Sequence, residues 1–218
     1  NKTNYRSWMF RRAPGFFDVV AYTGTGSQRT INHNLDAVPE MMIIRERSTG
    51  DNWAVFHETT GTAAWTILNS DGAKLDDSSG LVWNNTAPTA SVFSVGTGNV
   101  VNQSGDNFVA FLFATLSGIS KVGSYSGTGS NIDVDCGFTA GARFILIKRS
   151  DATADWYVYD SDRGIVSGND PYLVINEQDA EVTNTDYIDP LNAGFTVTSS
   201  APAGLNASGG NYIFLAIA

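Results

Sequence analysis

The stretch Tyr22-Thr23-Gly24-Thr25-Gly26-Ser27 returns 103 residues later as Tyr125-Ser126-Gly127-Thr128-Gly129-Ser130. At the same spacing the apolar run Met41-Met42-Ile43-Ile44 returns as Phe144-Ile145-Leu146-Ile147. A repeat of this length has the size of a small domain, so the sequence predicts two copies of one fold. A side chain with a unique chemical role should then be present in only one copy.

Short strand patterns separated by turns fill both copies. Residues 29–33 alternate as a half-buried strand, whereas the continuous apolar run at 41–44 is typical of a central strand covered on both faces. No segment of ten or more residues has helical periodicity, and residues 177–181 are expected to form at most one short helical turn. The sequence therefore predicts an all-β protein of two tandem homologous β-sandwich domains, jelly-roll-like in character.

The predicted domains are residues 15–116 and 117–218. Residues 4–10 align with residues 107–113, the last predicted strand of the first copy, again at a spacing of 103. We therefore expect residues 1–14 to be the last strand of a preceding module, or a linker.

Charge and hydropathy limit the partners. The chain has 218 residues and a formal net charge of -9, and residues 116–218 alone hold 5 Lys and Arg against 12 Asp and Glu. Because phosphate recognition needs clustered cations, this acidic balance predicts no nucleic acid partner. An apolar run of about 18 residues is also missing, so we expect no membrane insertion.

A search for catalytic residues is negative. The Gly-rich stretch at 24–27 lacks the third glycine of a dinucleotide loop and the lysine of a P-loop, so we interpret it as a turn. The two histidines are His33 and His57, and His57-Glu58 lacks the second histidine of a zinc-protease helix. Cys136 is the one cysteine and is predicted to be a small buried thiol. The sequence predicts no enzyme and no catalytic residue.

Acidic side chains offer two further hypotheses. Glycan depolymerases need only two carboxyl groups, and a calcium ion needs an oxygen-rich loop. Adjacent acids in Ser- and Gly-rich loops are usually solvated turn residues, and the acidic stretch at 151–162 does not have EF-hand spacing, so we predict neither a metal site nor a cofactor. The carboxylate pairs weighed were Asp76 with Asp77, Asp133 with Asp135, and Asp160 with Asp162, and the calcium candidates were Asp151, Asp155, Asp160 and Asp162.

Aromatic residues are better candidates for ligand binding. Trp53 and Trp156 recur at the repeat spacing and each opens a strand, which predicts a core role. An aromatic ring that is present in one copy only, beside amide side chains, suits the ring face and hydroxyls of a sugar. The candidate receptor-binding or glycan-binding residues are Trp83, Asn84, Asn85, Tyr172 and Tyr187.

Several segments together resemble a repeated module found in tail fibres and other virion proteins of marine tailed bacteriophages, a family of unknown biochemical function. The segments that carry the resemblance are Phe10-Arg11-Arg12-Ala13-Pro14-Gly15-Phe16-Phe17-Asp18-Val19-Val20, Tyr22-Thr23-Gly24, Trp83-Asn84-Asn85-Thr86-Ala87-Pro88-Thr89 and Lys121-Val122-Gly123-Ser124-Tyr125. The resemblance extends from about residue 10 to residue 218.

The resemblance implies a virion component located in the phage tail, at the distal end of a fibre, and it carries over no catalytic residue. We therefore expect a non-enzymatic tail-fibre module that binds a host surface receptor, either a glycan or a protein. Its other expected partners are virion proteins and two further copies of itself, since a fibre is usually a trimer. The alternatives are a structural virion protein (capsid decoration, cement or fibre-shaft spacer) and a glycan depolymerase.

Overall fold

The structure is a computed structural model that describes residues 7–48 and 50–218. The elements of the first half, residues 15–116, are β1 (Phe17–Thr23), β2 (Arg29–Asn32), β3 (Met41–Glu46), β4 (Trp53–His57), β5 (Ala64–Ile67), β6 (Leu75–Asp76), β7 (Val92–Val95), α1 (Asn99–Asn102) and β8 (Asn107–Phe113). Those of the second half, residues 117–218, are β9 (Ser120–Ser126), β10 (Ile132–Asp135), β11 (Phe144–Arg149), β12 (Trp156–Asp160), β13 (Leu173–Val174), β14 (Ile188–Leu191), β15 (Gly194–Val197), α2 (Ala203–Asn206) and β16 (Asn211–Ile217).

Each half contains one large and one small antiparallel sheet. The first large sheet has the order β1-β8-β3-β4-β5-β6, and the first small sheet pairs β2 with β7. The second large sheet has the order β9-β16-β11-β12-β13, and the second small sheet has the order β10-β15-β14. The prediction of an all-β, sandwich-type fold is confirmed. Corresponding strands also have the same spatial order in the two large sheets: the series β1-β8-β3-β4-β5 of the first matches β9-β16-β11-β12-β13 of the second.

Three hydrophobic clusters separate four layers of sheet. The first cluster lies between the large and small sheets of the first half, and the second cluster occupies the same place in the second half. A third, central cluster joins the two large sheets to each other. It contains Ile43 and Phe113 from the first sheet and Leu146, Trp156 and Leu215 from the second. The two sandwiches are therefore packed back to back through an apolar layer that both halves build.

This layering explains the apolar run at 41–44. Successive side chains of a strand point to opposite faces. Met42 and Ile44 accordingly enter the first cluster, whereas Met41 and Ile43 enter the central cluster. The prediction of a strand covered on both faces is confirmed, and the second cover is the other half of the chain.

The repeated Tyr-x-Gly-Thr-Gly-Ser stretch forms the same latch in each half. Buried Asn102 accepts a hydrogen bond from the N–H of Thr25 and donates to the carbonyl oxygens of Ser27 and Gly96. Buried Asn206 makes the corresponding bonds with residues 128–130 and 198 in the second half. Both stretches are turns held on a buried amide, which agrees with their interpretation as turns.

Two segments can be compared with the expectations for local structure. Residues 177–181 form no helical turn, and the two helices of the described chain are the four-residue α1 and α2 in the loops before β8 and β16. Residues 7–12 form no strand, although the aromatic ring of Phe10 packs edge-on against Phe17, Phe113 and Phe144. The rest of the strand predicted for the N-terminal segment falls on residues 1–6, which lie outside the described residues.

No helix in the described parts of the chain has the length and apolarity to cross a membrane.

Candidate binding surface

Trp83 is a core residue of the first half. Its side chain is 1% exposed, its ring meets Phe56 edge-on at 5.6 Å, and its Nε1 donates to the carbonyl oxygen of Ala64 at 3.1 Å. No face of the indole is open to a sugar. This position corrects the expectation that Trp83 presents a ring face to a receptor.

A buried carboxylate turns Trp83 inward. Asp77 accepts hydrogen bonds from the backbone N–H groups of Val82 and Trp83 at 2.8–3.1 Å, and it is itself 1% exposed. The chain then reverses through Asn84 and Asn85, whose φ angles of 53° and 48° lie in the left-handed region that asparagine tolerates. These two amides are therefore explained by turn geometry. Asn85 remains exposed, with its Nδ2 donating to the carbonyl oxygen of Ser78.

The second half has a matching clamp but different side chains. Asp170, fully buried, accepts hydrogen bonds from the backbone N–H groups of Tyr187 and Ile188 at 2.9–3.1 Å. Tyr187 and Ile188 therefore hold the positions that Val82 and Trp83 hold in the first half. The large indole is replaced by a smaller aliphatic side chain, and a half-buried tyrosine takes the place of a buried valine.

Four tyrosines pack together at this point of the second half. The ring of Tyr172 lies 5.9 Å from Tyr187, 5.3 Å from Tyr157 and 5.6 Å from Tyr159. Tyr172 and Tyr187 are both half-buried, with one side packed on the second cluster and the other reaching the surface. We call this pair and its two neighbours the tyrosine patch. It brings into contact two predicted site residues that are 15 positions apart in the chain, Tyr172 and Tyr187.

Polar groups without partners lie within or beside the tyrosine patch. The hydroxyl of Tyr159 is buried and has no hydrogen-bond partner among the described residues, and the same is true of one carboxylate oxygen of Asp186 and one of Asp189. Burial raises the pKa of Asp170 to about 6, and the charges of Asp186 and Asp189 add to this, against the opposing backbone hydrogen bonds. The surface that the patch offers to a ligand is therefore that of the two half-buried tyrosines, Tyr172 and Tyr187, which suits the face of a sugar ring.

The tyrosine patch and the Trp83 turn are separate features. Trp83 belongs to the first cluster and the tyrosines belong to the second. Tyr157, Tyr159 and Asp170 were missed as site residues. The repeat spacing pairs Tyr159 with Phe56, and this added hydroxyl at an otherwise apolar core position was the available signal.

The other acidic candidates are occupied by local structure. Asp77 holds the Trp83 turn, Asp133 accepts a hydrogen bond from Thr196, Asp151 pairs with Arg149, and Asp155 accepts one from Asn176. Asp160 accepts hydrogen bonds from the indole of Trp8 and from Arg163. Within residues 7–48 and 50–218, no three His, Cys, Asp or Glu side chains form a group that could hold a metal ion.

His33, His57 and Cys136 are packing residues. His33 lies between the N–H of Leu35 and the carbonyl oxygen of Thr89, while His57 lies in the layer between the large sheets, 3.4 Å from the carbonyl oxygen of Phe214. Burial lowers the pKa of His57 to about 4, so its imidazole is neutral at pH 7. Burial and the neighbouring Asp135 raise the pKa of Cys136 to about 12, which keeps the thiol protonated, as expected for a buried thiol.

These features define an all-β protein of two back-to-back sandwiches, in which one half is closed by an indole and the other carries an aromatic surface patch. The chain belongs to a family described as a domain of unknown function, DUF7483, whose model matches residues 11–218. No curated protein and no solved structure matches this chain.

Proposed function

We propose that this chain is a non-enzymatic binding module of a tailed-bacteriophage virion, part of a tail fibre, and that it recognises a host surface receptor. The sequence resemblance to phage fibre modules supports the location. The tyrosine patch supports the activity, and we propose that the binding site lies in the second half. We propose a glycan as the receptor and homotrimers joined to other virion proteins as the assembly. We also propose that the two halves are copies of one sandwich.

The observation that carries this proposal is the difference between the two clamps. In the first half the backbone held by Asp77 delivers Trp83 into the core and closes the surface. In the second half the backbone held by Asp170 delivers Ile188 inward and leaves Tyr187 half-buried beside Tyr172. A side chain with a unique role is expected in only one of two related halves, and the tyrosine pair meets that criterion.

The chemistry of the tyrosine patch suits a sugar ring. Tyrosine offers an apolar ring face together with a hydroxyl, and it loses little conformational entropy on binding because it has two side-chain torsions. The Asp186 carboxylate, next to Tyr187 in the chain, supplies an acceptor for sugar hydroxyls. A shallow patch of this kind favours weak binding per site, which a trimeric fibre would multiply.

The test is binding of the fluorescently labelled chain to host cells, with and without an excess of purified host polysaccharide. We expect saturable binding that the polysaccharide abolishes and that Tyr172→Ala and Tyr187→Ala each reduce at least fivefold. Leu81→Ala, at an exposed position in the corresponding loop of the first half, is the matched control and should bind like the wild type. Undiminished binding by both tyrosine variants would refute the site.

A structural role in the virion is the second candidate, and the sheet edges favour it. β1 and β9 are each seven residues long, and in the described part of the chain each pairs along its length with one strand, β8 and β16 respectively, apart from a single bridge at its first residue. Unpaired edges of this length can accept a strand from another virion protein. Immunogold labelling that places the chain on the capsid or along the fibre shaft, together with no binding to host cells, would decide for this role.

A further inference from the structure

A groove between the two halves has a different chemical character from the tyrosine patch. It is a cavity of about 490 Å³ at one end of the central layer. The first half contributes Thr59, Thr60 and Lys74, and the second half contributes Ser124 and Ser126, with Ile213 below them. We call it the inter-half groove, because neither half forms it alone.

The inter-half groove arises where the apolar faces of two neighbouring strands become polar. On β9, Val122 belongs to the central cluster, whereas Ser124 and Ser126 on the same face are exposed. On β16, Ile213 is buried in the central cluster, whereas Asn211 on the same face is exposed. The layer between the large sheets therefore ends in a groove whose accessible walls are polar and rich in hydroxyl groups.

The backbone around the groove is held by hydrogen bonds across the halves. The N–H of Lys74 donates to the carbonyl oxygen of Ser150 at 2.9 Å, and the N–H of Ser150 donates to the carbonyl oxygen of Asn211 at 2.8 Å. Ser150 is buried, and its hydroxyl donates to the same oxygen of Asn211. The first half is thus fixed to the second at the groove, so Lys74 keeps its place against β9 and β16.

Lys74 is a cation without an ion-pair partner in an acidic protein. Arg12, Arg149 and Arg163 each pair with a carboxylate. The described part of the chain holds no ion pair of Lys74, whose side chain is exposed at the groove. Asp151, beside Ser150 in the chain, accepts from the N–H of Asn211 and is paired with Arg149. The ammonium group is therefore open to an anion from solution.

We propose that the inter-half groove binds an acidic sugar unit, whose carboxylate pairs with Lys74 and whose hydroxyls bond to Ser124, Ser126 and Thr59. This site is independent of the tyrosine patch, because it lies on the other side of the second large sheet and recognises charge. In a chain of net charge -9, binding of an anion requires a local cation of this kind.

The test is a titration of the full chain with a tetramer of galacturonate, followed by isothermal calorimetry, with the uncharged galactose tetramer in parallel. We expect binding of the galacturonate tetramer alone, weakened at least fivefold by Lys74→Gln and also weakened as salt is raised from 20 to 200 mM. Lys121→Gln is the matched control. It removes the same charge from β9 on the opposite face of the strand, where Lys121 lies within electrostatic range of Glu58, and it should weaken binding less than Lys74→Gln does.

A second variant tests whether the tetramer binds inside the groove, independently of the charge of Lys74. Ser124→Phe fills the exposed wall and should abolish binding of the galacturonate tetramer while circular dichroism stays unchanged. Tyr172→Ala should leave this binding intact, so loss of cell binding by Tyr172→Ala and loss of tetramer binding by Lys74→Gln report on different sites. The proposal is overturned by failure of the tetramer to bind, by equal binding of the neutral tetramer, or by equal weakening in Lys121→Gln.

Discussion

The indole Nε1 of Trp156 donates a 2.9 Å hydrogen bond to the carbonyl oxygen of Ile67, so a side chain at the start of β12 reaches strand β5 of the other half. Trp156 is fully buried in the central cluster, and its backbone N–H donates a hydrogen bond to the side-chain oxygen of Asn176. Trp53, the residue at the corresponding place in the first half, is only half-buried and packs under Arg45. Trp156 therefore makes a hydrogen bond across the halves from a buried position, whereas Trp53 only packs against the edge of the central cluster.

We expect Trp156→Phe to lower the free energy of unfolding by about 2 kcal/mol, because it loses a buried hydrogen bond and part of a large ring. Trp53→Phe should cost less than half of this. Urea denaturation followed by far-UV circular dichroism measures both variants. Equal losses would contradict the greater contribution assigned to the buried Trp156.

The latch predicts a sharp glycine requirement. A Cβ at Gly127 would lie 2.1 Å from the carbonyl oxygen of Ala207, and one at Gly24 would lie 2.0 Å from that of Gln103. Backbone atoms held by their own hydrogen bonds cannot retreat, so Gly127→Ala should destabilise by about 3 kcal/mol. Gly50→Ala, where nothing lies within 4 Å, is the control and should be close to neutral in thermal unfolding. A stable Gly127→Ala variant would show that the loop can move away.

Removal of two buried tyrosine hydroxyls should change the stability of the protein in opposite directions. The hydroxyl of Tyr159 has no partner within the described residues, so Tyr159→Phe should stabilise the protein by about 1 kcal/mol. The hydroxyl of Tyr212 accepts from the N–H of Ala207 and donates to the carbonyl oxygen of Ala203, both at 2.7 Å, so Tyr212→Phe should destabilise by about 1.5 kcal/mol. Differential scanning calorimetry of both variants checks the signs. Destabilisation by Tyr159→Phe would mean that its hydroxyl is satisfied in solution.

Asp170 predicts a pH dependence of stability. Its pKa in the fold is about 6, above the ordinary value of 3.8, so between pH 4 and 6 the folded chain binds more protons at this group than the unfolded chain does. The contribution of Asp170 to stability is therefore largest near pH 4 and is lost as the pH rises through 6. The amide in Asp170→Asn does not titrate. The melting temperature of this variant should therefore rise relative to that of the wild type between pH 4 and pH 7.

The control for this pH series is Asp133→Asn, at an exposed carboxylate on β10. This variant removes a surface carboxylate, so a change that both variants share reflects the loss of a charge and not the burial of Asp170. A difference between Asp170→Asn and the wild type that does not change with pH would show that the Asp170 carboxyl is solvated in the folded protein.

The repeat spacing and the strand periodicities were sufficient to predict the fold class, because each apolar position belongs to a strand whose neighbours repeat the pattern. The core role predicted for Trp156 is confirmed for the same reason. The role of Trp83 was not predictable from its neighbours, because its direction depends on a carboxylate six residues earlier that accepts the backbone N–H groups at 82 and 83. An Asn-Asn-Thr sequence suits a turn and a sugar site equally well.

The inter-half groove could not be predicted from the sequence either. Lys74 lies in a loop of the first half, and Ser124 and Ser126 lie on a strand of the second. Their contact requires the back-to-back packing of the large sheets. The apolar run at 41–44 predicts that this strand is covered on both faces, but it does not identify the other half of the chain as the second cover. The tyrosine pair could be anticipated because both residues lie in the stretch where the two halves diverge.

The central layer has a consequence for how such a chain can change over generations. Either half taken alone would expose an apolar sheet face, including Ile43 and Phe113 on one side or Leu146 and Leu215 on the other. Separation of the halves would therefore leave two pieces that each expose an apolar, aggregation-prone sheet face. A recombination event that replaced one half would have to preserve the fit of its apolar face to the other half. Selection then acts on the pair as a single heritable block, which accords with one family model extending over residues 11–218.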